Sequence, residues 1–115
     1  MALIYKILRP EEWRLLSADG VFQGSPIDLQ DGFMHFSAAA QVTETLARYF
    51  TDAAEVVLLA VDSDALGDSL RWEVSRGGAL FPHLYAPLRL GDIREVRRLK
   101  AEPGRPGRFA DSTAS

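Results

Sequence analysis

Two histidines stand in a chain of 115 residues that has no cysteine, and both are embedded among apolar or aromatic neighbours. His35 lies between Met34 and Phe36, just ahead of Ser37, where a helix is expected to begin. The unpaired N–H groups and dipole of a helix N-terminus favour an anion or an electron-rich ligand edge. An imidazole in that position is suited to hydrogen-bonding a hydroxyl or phosphate. The same position suits a half-buried ring satisfied by a carbonyl or by Ser37. His83 sits in Phe-Pro-His-Leu-Tyr (81–85), where an extended backbone puts Phe81, His83 and Tyr85 on one side and Pro82 and Pro87 stiffen the chain. Such a strip can wall a pocket for a planar group, although aromatic residues at strand period also build cores.

Glu73 follows Trp72 on an alternating segment. Beside a large aromatic ring a carboxyl can be shifted upward and act as general acid or base, and it is equally placed to pair with Arg71 or Arg76. Arg76 precedes Gly77 and Gly78, a guanidinium beside backbone free to approach a phosphate, or a simple Gly-Gly turn. Metal binding is not expected: the histidines are far apart, and Asp28, Asp31, Asp62 and Glu73 show no ligand spacing. Neither Ser37 nor Ser75 lies in a nucleophile elbow.

These groups need a scaffold. Residues 3–8 are β-branched and aromatic and read as a strand. Pro10, Glu11 and Glu12 then suit the first turn of a helix ending by Gly20. Residues 21–31, rich in Gly, Ser, Pro and Asp, read as loop with at most a brief extended piece. Residues 32–36 read as a short strand, with Ser37 as N-cap of an amphipathic helix carrying Val42, Leu46 and Tyr49 on one face. The apolar run 56–61 reads as a strand at the centre of a sheet. Leu70, Trp72 and Val74 alternate with Arg71, Glu73 and Ser75, so the first set is expected to face the core. An extended segment 80–88 and a strand over 93–99 follow. Two Pro-Gly breaks make 101–115 read as a disordered tail behind a single globular domain spanning 1–100. Together these elements give an α+β fold: a compact domain with a mostly antiparallel, strongly curved or two-part sheet and two main helices.

At 47% apolar and 25% charged residues the composition is that of an ordinary globular domain. No apolar run approaches the roughly 20 residues of a membrane span, and the first residues lack a basic, then apolar, leader pattern. A cytoplasmic location is expected. A net charge of -3 argues against general binding to nucleic-acid backbone. A basic strip over 94–108 reads as a solvated strand face.

Trp72-Glu73, Gly-Phe-Met-His-Phe-Ser (32–37) and Arg-Gly-Gly-Ala-Leu-Phe-Pro-His-Leu-Tyr (76–85) together resemble the bacterial family catalogued as domain of unknown function 952. The resemblance runs to about Leu99. The chain is also distantly similar to the ADP-ribosyltransferase-like fold, whose members hold NAD in a cleft between two small sheets. That similarity implies His35 and Glu73 as catalytic residues and Ser37, Arg76, Phe81, His83 and Tyr85 as ligand-binding residues. It implies NAD as substrate or ligand and a small nucleotide-like molecule as partner. No intermediate tyrosine motif matches that fold, so a module that binds a small ligand or a protein without catalysis is the alternative.

Overall fold

A computed structural model of the chain describes residues 2–113, except for the side chain of Arg76. The chain runs β1 (Leu3–Leu8), α1 (Pro10–Asp19), β2 (Val21–Phe22), α2 (Pro26–Asp31), β3 (Met34–His35), α3 (Val42–Tyr49), β4 (Glu55–Asp62), β5 (Leu70–Val74), β6 (Leu80–Leu84), β7 (Leu88–Arg89), β8 (Ile93–Glu102) and β9 (Arg105–Asp111), with short 3-10 turns between some of them.

Three antiparallel sheets result, in the orders β1-β4-β8-β9, β2-β7 and β3-β6-β5. Tyr5 and Ser37 exchange both backbone hydrogen bonds at 2.8 Å, which stitches the three-stranded sheet onto β1. The ensemble is a strongly curled half-barrel. β4 is central as expected, and alternate residues of it feed two cores. Val57, Leu59 and Val61 pack with Ile4, Leu8, Leu16 and the small sheets. Val56 packs with Ile7, Leu46 and Leu99 beneath α3.

The structure corrects four expectations. Residues 26–31 are not loop: Pro26 opens α2 with Ser25 ahead of it, and Gly32 closes it in the left-handed region at φ 85°. This short helix adds a third to the two expected. Ser37 does not cap α3, because its backbone is spent on β1 and its hydroxyl lies 3.2 Å from Thr45 Oγ1. Trp72 and Val74 face outward, 48% and 69% exposed, and of the set expected to face the core only Leu70 packs against it. Finally, residues 101–111 are ordered. Pro103 and Gly104 turn the chain into β9, which pairs with β8 and lies on α3, where Gly107 approaches Ala47. Residues 114–115 of the expected tail lie outside the described residues.

Candidate functional site

Lys6 is the one charge on the core-facing side of β1, between Ile4 and Leu8. It is 5% exposed, and its ammonium donates to Asp28 Oδ2 at 2.8 Å and to the His35 carbonyl at 2.9 Å. Asp28, 2% exposed on α2, is the hub of this side. Its carboxylate also accepts from the N–H and hydroxyl of Ser25, both at 2.9 Å, and from the His35 N–H at 3.0 Å. Burial pushes the Asp28 carboxyl up, but the hydrogen bond from His35 and the charge and hydrogen bond of Lys6, with help from Ser25, hold it well below the usual carboxylate range.

His35 therefore stands on a built platform. Its Nδ1 is 2.6 Å from Asp28 Oδ1 and its Nε2 is 3.0 Å from Asp31 Oδ2. Only a ring with a proton on each nitrogen donates to both carboxylates.

Across the β3–β6 pair, His35 and His83 are register partners, with ring centroids 5.6 Å apart. His83 is 3% exposed, and its Nδ1 lies 2.8 Å from Glu73 Oε1. Tyr85 donates its hydroxyl to the same oxygen at 2.7 Å. The hydrogen bonds from Tyr85 and His83 lower the Glu73 pKa from its ordinary value, so of the two readings open at Glu73 the paired, charged carboxylate holds, and the upward shift beside Trp72 does not. The physical reason is the strand: Trp72 projects to the opposite face. With Nδ1 donating to Glu73, His83 presents Nε2 as a lone-pair acceptor, and that atom is buried with no hydrogen-bond partner among the described residues.

The Phe33 ring covers the pair. It stacks on His83 with centroids 4.1 Å apart and 28° between planes, and it lies 4.8 Å from His35 and 5.4 Å from Tyr85. Arg71, opposite His83 in the β5–β6 register, sets its guanidinium 5.4 Å from the Tyr85 ring centre.

Of the residues singled out from sequence, His35, Glu73, His83 and Tyr85 come together. Phe81 is buried on the same face of β6, opposite Glu73. Ser37 turns its hydroxyl to α3 instead. The Arg76 side chain lies outside the described residues. Sequence reasoning missed Lys6, Phe33 and the role of Asp28, and it named Arg71 only as a partner for Glu73. Two signals were present: a lone lysine in an apolar strand, and Ser25 three residues ahead of Asp28, the spacing of a helix-opening box.

A cavity of about 340 Å³ is on the other face of the four-stranded sheet, by Tyr5, Leu58 and Ala60. Its cation, Arg97, is already committed to Glu95 and Asp111. Another cavity, of about 230 Å³, adjoins the histidines through Phe33 and Tyr85.

A family model described as "Protein of unknown function (DUF952)" matches residues 7–96. The X-ray crystal structure of protein CC0527 from Caulobacter crescentus is similar, with 48% identity over 91% of this chain and 92% of that one and a TM-score of 0.87. The solution NMR structure of CC0527 gives 47% identity over 94% and 93% and a TM-score of 0.83. No curated protein matches the chain.

Proposed function

The chain belongs to the DUF952 family, and on that footing we propose that it is an acid–base enzyme acting on a small nucleotide-like ligand, NAD being the first candidate. The observation that carries this reading is His83: Nδ1 is fixed on an ionised carboxylate while the buried Nε2 has no partner among the described residues. A dyad of this kind accepts a proton at Nε2 as water or a ligand hydroxyl forms its new bond, then passes the proton to solvent once the neutral leaving group has departed. Glu73 stabilises the imidazolium formed in between, and Tyr85 holds Glu73 in place. His35 stands beside the reacting atoms, and a ligand phosphate or hydroxyl takes the place of Asp31 at its Nε2. For NAD the balanced reaction is transfer of ADP-ribose to water or to an acceptor hydroxyl, releasing nicotinamide and a proton. The ligand reaches Nε2 once the Phe33 ring shifts. Lacking cysteine, the chain suits a reducing compartment, and we place it in the cytoplasm.

The test is to incubate the full chain with NAD, ADP-ribose and mononucleotides, following products by proton NMR. Turnover of at least one substrate, reduced about 100-fold or more in His83→Gln, is expected. Binding without any product, unchanged by His83→Gln, would sink the catalytic reading. It would favour a binding module instead. One feature speaks for that second reading: Phe33 is stacked flat on His83, and both His35 nitrogens are held by carboxylates.

A further inference from the structure

The cavity of about 230 Å³ lies between the ends of β2 and β7 on one side and α2 on the other. Leu29, Leu84 and Pro87 give it apolar walls, and Phe33 and Tyr85 close it toward the histidine pair. Gln23 stands at its rim, exposed and without a side-chain hydrogen bond among the described residues. Pockets that take a whole drug-sized ligand measure roughly 300–1,000 Å³, so this one has room for a single ring system and not for a dinucleotide.

We propose that this cavity is a base-binding subsite, taking the planar heteroaromatic ring of the ligand while the sugar and phosphate extend past Phe33 to the histidines. The inference rests on the reading of the histidine pair as the reaction centre and names the ligand that the centre receives. Aromatic rings bind bases through their π faces with little regard to sequence. Phe33 and Tyr85 line the cavity beside the apolar Leu29, Leu84 and Pro87. A primary amide carries a donor and an acceptor side by side, the pattern that matches the N6 and N7 edge of adenine. Gln23 is placed to read that edge, so adenine is preferred to a pyrimidine.

The experiment is a titration of the nitrogen-15-labelled full chain with adenosine 5′-monophosphate, uridine 5′-monophosphate and ribose 5-phosphate. The adenine nucleotide is expected to shift the amides of Leu29 and Ala86 and the Gln23 side-chain amide, and ribose 5-phosphate is expected to leave them in place. Ala86→Phe, which fills the cavity, abolishes these shifts. Gln23→Leu, at an exposed position where folding is not at stake, raises Kd about tenfold, the equivalent of roughly 1.4 kcal/mol. Equal affinity for ribose 5-phosphate overturns the subsite, as do shifts confined to His35 and His83 or the absence of shifts with every probe. Loss of adenine-nucleotide binding in His83→Gln but not in Ala86→Phe also overturns it, while leaving the reaction reading intact. Turnover that fails although the cavity binds adenine has the opposite meaning.

Discussion

Two imidazoles in register across β3 and β6 are given opposite tasks by their carboxylates. His35 meets a carboxylate at each nitrogen, and His83 at one. Behind His35, Asp28 must stay charged, because Lys6 is buried beside it. Asp28→Asn therefore leaves an ammonium without a counter-charge, and unfolding by urea is expected to show a loss of about 3–5 kcal/mol. Adding Lys6→Met to that variant removes the stranded charge and restores part of the stability; simply additive losses would mean that the pair is not coupled. Behind His83, Tyr85 donates to Glu73 and feels its charge. The hydrogen bond to Glu73, then burial, then the negative charge raise the phenol above its ordinary value, with Arg71 pulling the other way. NMR titration of the tyrosine ring carbons should show Tyr85 ionising above about pH 10, and Glu73→Gln should bring it back down. The two histidines of the candidate site were visible in the sequence because they are few and motif-bound. Their support was not, since Lys6 and Asp28 are 22 positions apart and only the fold makes them a pair.

At the level of elements, local signals were read correctly in type and misjudged in context. The runs at β1, β4 and β5 and the helix α1 were legible from periodicity and from Pro10 with its acidic first turn. Ser25, Pro26 and Gly32 are also helix-end residues. They read as loop because six residues, 26–31, are too few to show a period. Periodicity also does not say which face turns inward, and β5 shows it: Glu73 took the site side and Trp72 the solvent side. Trp72→Ser is therefore expected to change stability by no more than about 0.5 kcal/mol, whereas a core tryptophan would cost several times that. β9 was hidden by its own turn residues. Gly104 serves the β8–β9 turn at φ 69°, and Gly107, at φ 81°, lets β9 close on α3: a Cβ there would sit 2.8 Å from Ala47 Cα. Gly107→Val should lift β9 from α3 and lower stability by about 1–3 kcal/mol. Limited proteolysis would then cut first within 101–111, and an unchanged digestion pattern would contradict the packing described for this strand.

On the scale of the whole molecule, three carboxylates tie distant parts of the fold to one proton equilibrium. Asp28 joins α2 to β1 and β3, Glu73 joins β5 to β6, and Asp111 joins β9 to β8 through Arg97. Each has a lowered pKa: Asp28 and Glu73 for the reasons given above, and Asp111 because hydrogen bonds from Thr113 and Arg97 draw it down to about 2. An acid held below its unfolded value binds fewer protons in the native state, so native stability is fully present above the unfolded pKa, near 4, and is lost as pH falls toward the folded value. The exposed Glu73 and Asp111 are screened by solvent, which leaves the buried Asp28 as the dominant contributor. Urea midpoints should thus be nearly level from about pH 7 to pH 5 and fall steadily below about pH 4. In Asp28→Asn the neutral-pH midpoint starts lower and the acid slope is shallower, because the group that linked protons to folding has gone. Tyr85→Phe, which removes one hydrogen bond from an exposed carboxylate, leaves the slope almost as it was. If Asp28→Asn kept the full acid slope, proton linkage would lie in the surface carboxylates, and the Lys6–Asp28–His35 platform would not be what holds the site side of the half-barrel together at neutral pH.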